Sequence, residues 1–166
     1  MARPETPVLP PVSRALSVRG IPHRLFRHPR PLSSLEQAAA ERGQRPAQVV
    51  RSLLFRLEAD AYVLVLVNGS RRVDWKALRR HLGRSRITLA RPEEVQAITG
   101  YAVGTVGPLG LAQPVPVLVD EGVLDQEEIS IGSGEPGTAV ILRVEDLLAG
   151  LERYETGRFA EDPQAN

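Results

Sequence analysis

A chain of 166 residues with 42% hydrophobic and 25% charged side chains has the length and balance of one globular domain with a single core, and its composition lies outside the disordered class. The absence of cysteine excludes disulfides, thiolate nucleophiles and Cys-ligated zinc; with no run of about 18 apolar residues, a cytoplasmic protein with no membrane partner is expected. The net charge of +1 conceals a division, because residues 1–91 carry 18 basic and 6 acidic side chains whereas residues 92–166 carry 3 and 14.

In chain order, residues 1–10 read as a flexible Pro-rich arm, residues 11–156 as the domain, and residues 157–166 as a frayed acidic tail. Pro11 to Arg19 is expected to form a short helix ended by Gly20, and Ile21 to Arg27 a strand closed by His28-Pro29. Ser34 and Gln37 have capping-box spacing before an Ala-rich helix, Leu35 to Arg42, that Gly43 terminates. Val49 to Leu57 and Tyr62 to Val67 read as antiparallel strands joined by a short turn. The second is continuously apolar and so must be covered on both faces.

Asp74 caps a helix through Trp75, Leu78 and Leu82 to Gly83; Arg86 to Leu89 fits a short strand; Pro92 to Ile98 is a further helix with Gly100 after it. Strands follow near Val115–Val119, Ile129–Ser133 and Thr138–Leu142, then a helix from about Val144 to Arg153. Helices scattered among short strands predict a mixed α/β single domain, either a distorted β-barrel or a mixed sheet surrounded by helices.

The chemistry points to one loop. Thr99-Gly100-Tyr101-Ala102-Val103-Gly104-Thr105-Val106-Gly107-Pro108-Leu109-Gly110 packs glycines and a proline between a helix and a strand. Glycine lets a substrate approach the main chain and lets backbone N–H groups converge on a developing oxyanion. A Gly-rich turn serving only to reverse the chain has the same composition, so the loop alone leaves both readings open. The three histidines form no metal-ligand spacing, and no metal or cofactor is expected. Asp120, ending an apolar strand, has the chemistry to hold a ligand amine or to make a turn hydrogen bond.

The loop also carries a resemblance. Gly104-Thr105-Val106-Gly107-Pro108 is similar to the Gly-x-x-x-Pro loop of the YbaK-like, prolyl-tRNA synthetase-associated editing domains. Val50-Arg51-Ser52-Leu53-Leu54-Phe55, Val73-Asp74, Arg91-Pro92-Glu93-Glu94-Val95, Val117-Leu118-Val119-Asp120-Glu121 and Gly132-Ser133-Gly134 occur in the order that family shows. The resemblance implies a hydrolase that deacylates mischarged aminoacyl-tRNA in trans, with the acceptor end of tRNA as partner and an aminoacyl-tRNA synthetase as a further one. It implies Arg51 and Gly104 as catalytic residues, with Phe26, Gly107, Pro108, Asp120 and Gly134 against the substrate. Arg51 stands where many active relatives have lysine, Lys76 being the chain's one lysine, and Glu135 where relatives often carry a basic residue. Arginine's permanently charged fork suits grip better than proton transfer. The alternative is therefore a catalytically weakened module that binds tRNA ends or a small aminoacyl ligand. Oligomeric state is left open.

Overall fold

The computed structural model describes residues 8–162, so the first seven residues of the expected arm lie outside it. Helix α1 (Pro11–Val18) starts on proline, whose fixed φ suits a first turn, and buries Val12 and Leu16. Strand β1 (Arg24–Arg27) leads to α2 (Leu35–Glu41), where the Ser34 side chain accepts from the Gln37 N–H. A single 3-10 turn, Pro46–Gln48, precedes the hairpin of β2 (Val50–Glu58) and β3 (Ala61–Asn68).

Two-residue β4 (Arg72–Val73) precedes α3 (Trp75–Leu82), capped by Asp74 at its start and by left-handed Gly83 at its end. Then come β5 (Thr88–Leu89), α4 (Pro92–Thr99), β6 (Val117–Asp120) and the single-turn α5 (Glu121–Leu124). The chain continues through β7 (Glu128–Gly132), β8 (Thr138–Arg143), α6 (Val144–Leu151), β9 (Glu155–Gly157) and β10 (Ala160–Glu161).

The strands form a mixed five-stranded sheet, β5-β2-β3-β6-β9, a three-stranded antiparallel sheet, β1-β8-β7, and a β10-β4 ribbon. Among the described residues no sheet closes on itself, so of the two expected architectures the mixed sheet wrapped by helices is the one adopted. An isolated parallel bridge between Val49 and Ser130 joins the two larger sheets at one edge.

The two-sided cover expected for the apolar strand is present. On β3, Leu64 and Leu66 enter a core shared with α1, α6 and the three-stranded sheet, while Val63, Val65 and Val67 enter a second core under α3. Every residue from Val63 to Asn68 is buried. Alternation on β2 follows the same rule: Val50 and Leu54 face the first core, Phe55 the second.

The expected fraying is corrected for residues 157–162, while residues 163–166 of the expected tail lie outside the described residues. Strand β9 pairs in parallel with β6, β10 pairs with β4, and Phe159 is 1% exposed in the second core. The polar composition of this segment hid the one aromatic residue that anchors it.

Candidate functional site

The site is built at the start of β2, beside the Val49–Ser130 bridge to the three-stranded sheet. Strand period places Val50, Ser52 and Leu54 on one side of β2. Opposite them stands the loop after α4. Left-handed Gly100 ends that helix, and Thr99 Oγ1 accepts from the Tyr101 N–H at 3.0 Å. Tyr101 is buried, with its hydroxyl donating to Leu109 O at 2.7 Å, which draws the two ends of the loop together.

Inside that frame Thr105 N donates to Ala102 O at 3.0 Å, closing a turn that needs a left-handed residue; Gly104 supplies it with φ 90°. A Cβ on Gly104 would meet nothing within 4 Å. The far part of the loop is locked. A Cβ on Gly107 would fall 2.2 Å from Gly132 O, and one on Gly132 would fall 2.2 Å from Val106 O, so the two backbones cross in contact.

Between β2 and this loop lies a cavity of about 360 Å³, within the size range of small-ligand sites. Val49 to Leu54, Leu89, Ala90, Val95, Val103, Gly104, Val106, Ile131, Gly132, Thr138 and Arg42 line it. Its walls are mostly apolar, and none of these residues is acidic. Among the described residues the N–H groups of Gly104 and Val106 donate to no protein acceptor. Ser52 Oγ is likewise buried without a partner. The cavity is thus an apolar hollow lined by residues whose backbone N–H groups, and one buried hydroxyl, are unspent.

Arg42, immediately after α2, borders the same cavity. Its Nε donates to His28 Nε2 at 3.0 Å and its Nη1 to Ser130 Oγ at 2.9 Å. Because His28 Nε2 accepts, its proton sits on Nδ1, which faces Glu41 Oε1 at 3.1 Å. The bond to His28 holds the Glu41 carboxyl below its ordinary value. Burial pulls the Arg42 guanidinium below its own, with Glu41 opposing that shift.

Of the residues expected from the sequence, Arg51 and Gly104 come together at this cavity. Arg51, however, has the strand parity of Leu53 and Phe55, and its guanidinium is spent on backbone carbonyls: Nε donates to Gly69 O at 2.9 Å and Nη2 to Arg71 O. Burial pulls its pKa down.

The other candidates lie elsewhere. Phe26 on β1 stands edge-on to His28, ring centroids 4.8 Å apart. Gly107 is shut against Gly132, and Gly134 abuts the Tyr101 ring, where a Cβ would fall 2.7 Å from Cε1. Pro108 borders a larger open groove of about 1040 Å³, shared with Pro116 and Tyr154 and with none of the other candidates. Asp120 is 1% exposed and fully engaged, accepting from Arg71 Nη1 at 2.5 Å, Phe159 N at 2.7 Å and Gly122 N at 2.9 Å. It caps α5 and ties the C-terminal strands to the sheet, the turn-bonding alternative of its two expected roles. Among the described residues no group of three His, Asp or Glu side chains could hold a metal ion.

Sequence reasoning passed over Ser52 and Arg42. Ser52 was legible from strand period, since a serine between Val50 and Leu54 points to the apolar side. Arg42 looks like an ordinary charge at a helix end, and nothing local signals its inward turn.

Comparison with known proteins adds independent findings. The model of the aminoacyl-tRNA editing domain matches residues 29–149. A proline–tRNA ligase from Levilactobacillus brevis is 33% identical over 91 residues, which is 55% of this chain but 16% of the ligase. The chain therefore spans about a sixth of such ligases. Bacillus subtilis YwhH, a protein of uncharacterised function, is 30% identical over 115 residues, covering 69% of this chain and 73% of YwhH. A solved structure described as a candidate trans-editing enzyme for prolyl tRNA synthetase superposes with a TM-score of 0.83 at 30% identity, over 91% of this chain and 95% of that one.

Proposed function

The chain belongs to the aminoacyl-tRNA editing domain family, and from that premise we propose that it acts in trans as a hydrolase, releasing the amino acid from a mischarged aminoacyl-tRNA whose acceptor end enters the cavity beside Gly104. In this reading a water oxygen attacks the acyl carbon, and the carbonyl oxygen becomes an oxyanion that accepts from the Gly104 and Val106 N–H groups. The bond from the acyl carbon to the ribose oxygen then breaks. The ribose oxygen takes up the proton that water gives up, leaving free amino acid and tRNA.

One observation carries the reading: two backbone donors are unspent at the wall of an apolar hollow, where a single well-placed donor is worth about 3 kcal/mol to an acyl-transfer transition state. Ser52 Oγ has the position to hold the attacking water. Arg51 acts as a positioning residue, holding the start of β2 against the Gly69 and Arg71 carbonyls. The likeness to a structure described as a candidate trans-editing enzyme for prolyl tRNA synthetase supports action in trans, and a synthetase is the partner that would supply the mischarged tRNA.

A second reading, a module that binds the tRNA end without cleaving it, is favoured by one feature: the polar side chains lining the cavity are Arg42, Arg51, Ser52 and Thr138, none an ordinary acid or base near neutral pH. A panel of tRNAs, each charged with one wrong amino acid, decides between them. Release from at least one, slowed in Gly104→Ala, which displaces the Gly104 N–H, is the expected result. Binding of the panel with release from none overturns the hydrolase.

A further inference from the structure

The basic half of the chain does not behave uniformly. Arg19, Arg24, Arg27, Arg56 and Arg71 pair with Glu152, Glu128, Glu135, Glu94 and Asp120 of the acidic half. Fold-back neutralises that part of the charge. The segment from Trp75 to Arg86 differs: it holds five cations, Lys76, Arg79, Arg80, Arg84 and Arg86, and no acid.

Arg84 pairs with Glu58, but among the described residues the other four make no ion pair. His81, on the same helix, faces Glu155, and Asp74 is committed to capping. Lys76 and Arg80 lie four apart on α3, with Arg79 beside them, on the side away from buried Leu78. Helix-end electrostatics accounts for Arg79 and Arg80 in the last turn, but not for Lys76 in the first or Arg86 beyond the end.

Position is the second observation. The basic segment runs without interruption into β5, whose Leu89 is 56% exposed and borders the cavity. Two residues, Ile87 and Thr88, separate Arg86 from Leu89, about 10 Å of chain at most. Trp75 at the other end stands edge-on to Phe55, and Phe55 pairs with Leu89. This basic band, interrupted by the paired Arg84, thus ends beside the cavity's lip.

We propose that this band, α3 with Arg86, is the surface on which the double-helical stem of the RNA substrate docks, its phosphates tracked by Lys76, Arg79, Arg80 and Arg86 while its single-stranded end passes Leu89 into the cavity. Clustered cations free of acidic partners match a polyanion, and phosphate contacts of this kind fix position without reading sequence. The proposal rests on the reading of a tRNA substrate, not on hydrolysis.

Binding of uncharged tRNA is measured against salt concentration for the parent, for a Lys76→Ala, Arg79→Ala, Arg80→Ala, Arg86→Ala variant, and for an Arg14→Ala, Arg30→Ala, Arg45→Ala, Arg153→Ala control with the same change in net charge. Each lost phosphate contact removes about 0.9 from the slope of log affinity against log salt, so the α3 variant, losing four, loses about 3.6 and binds on the order of 100-fold more weakly at low salt, while the control stays within about 1 of the parent. Lys76→Gln with Arg80→Gln, both on exposed side chains, gives the same direction if the fourfold variant folds poorly. Equal losses in the α3 variant and the control overturn the docking face, as does tRNA binding unchanged by either α3 variant. Docking without amino acid release from any charged tRNA leaves this inference standing and removes the hydrolase.

Discussion

The sheet that β2 and β3 share is filled on the side under α3, whereas on the other side the core gives way to a cavity at β2. Under α3, Phe55, Val63, Val65, Val67, Leu78, Leu118 and Phe159 close into a cluster in which each is at most 1% exposed. Across the sheet, β2 presents Val50, Ser52 and Leu54 to the cavity. A helix with large apolar residues covers the first side, whereas the second is faced by a loop and a strand end whose nearest positions are Gly104 and Gly132. Interiors pack densely and satisfy their polar groups as a rule. A void together with an unpartnered hydroxyl marks the side kept for a ligand.

The largest test breaks the filled side. Asp120→Ala leaves Arg71 without its buried carboxylate and Phe159 N without an acceptor; chemical denaturation is expected to show a loss of about 3–5 kcal/mol, with release per folded molecule unchanged. A smaller expected effect falls on the hollow side. Gly104→Ala places a Cβ in open space but forces an L-residue to φ 90°, a cost of about 1–2 kcal/mol, and the displaced N–H lowers the release rate on the order of 10-fold or more.

Ser52→Ala sharpens the contrast, since it removes a buried orphan. Stability is expected to hold within about 0.5 kcal/mol or rise, while release slows about tenfold. Destabilisation with normal release would make Ser52 a scaffold residue.

The smallest effect concerns α4, which carries Val95 to the cavity wall. Tyr62 Oη donates to Glu94 Oε2 at 2.7 Å, and this bond, with the Arg91 N–H, lowers the Glu94 pKa from 4.5 to about 2. A carboxylate with a depressed folded value stabilises fully above its unfolded pKa and loses that contribution as pH falls through the folded one. Acid unfolding should therefore show a component between pH 4.5 and about 2 that Tyr62→Phe diminishes.

Most elements were legible because their signals are local: Ser34 and Asp74 as caps, Gly83 and Gly100 as stops, and the continuous apolar run of β3 as a strand covered twice. The loop at Gly104 was legible for the same reason. What was hidden depends on partners far along the chain. Strand period places Ser52 toward the hollow, but that the Arg51 guanidinium turns to the Gly69 and Arg71 carbonyls depends on chain about 20 residues further on. Arg42 needed His28 and Ser130 to turn it inward, and β9 and β10 needed the edges of β6 and β4. No composition of residues 157–162 announces those pairings.

The crossing of Gly107 and Gly132 has a bearing on how this fold can diversify. With the methyl that Gly107 lacks falling on Gly132 O and the one that Gly132 lacks falling on Val106 O, both clashes are with backbone, and no single replacement at either position is relieved by a side-chain change at the other. In a saturation library selected only for soluble expression, both positions should come back as glycine alone. Gly104, with free space around it, should then accept asparagine or aspartate, and narrow to glycine only when the library is also selected for turnover.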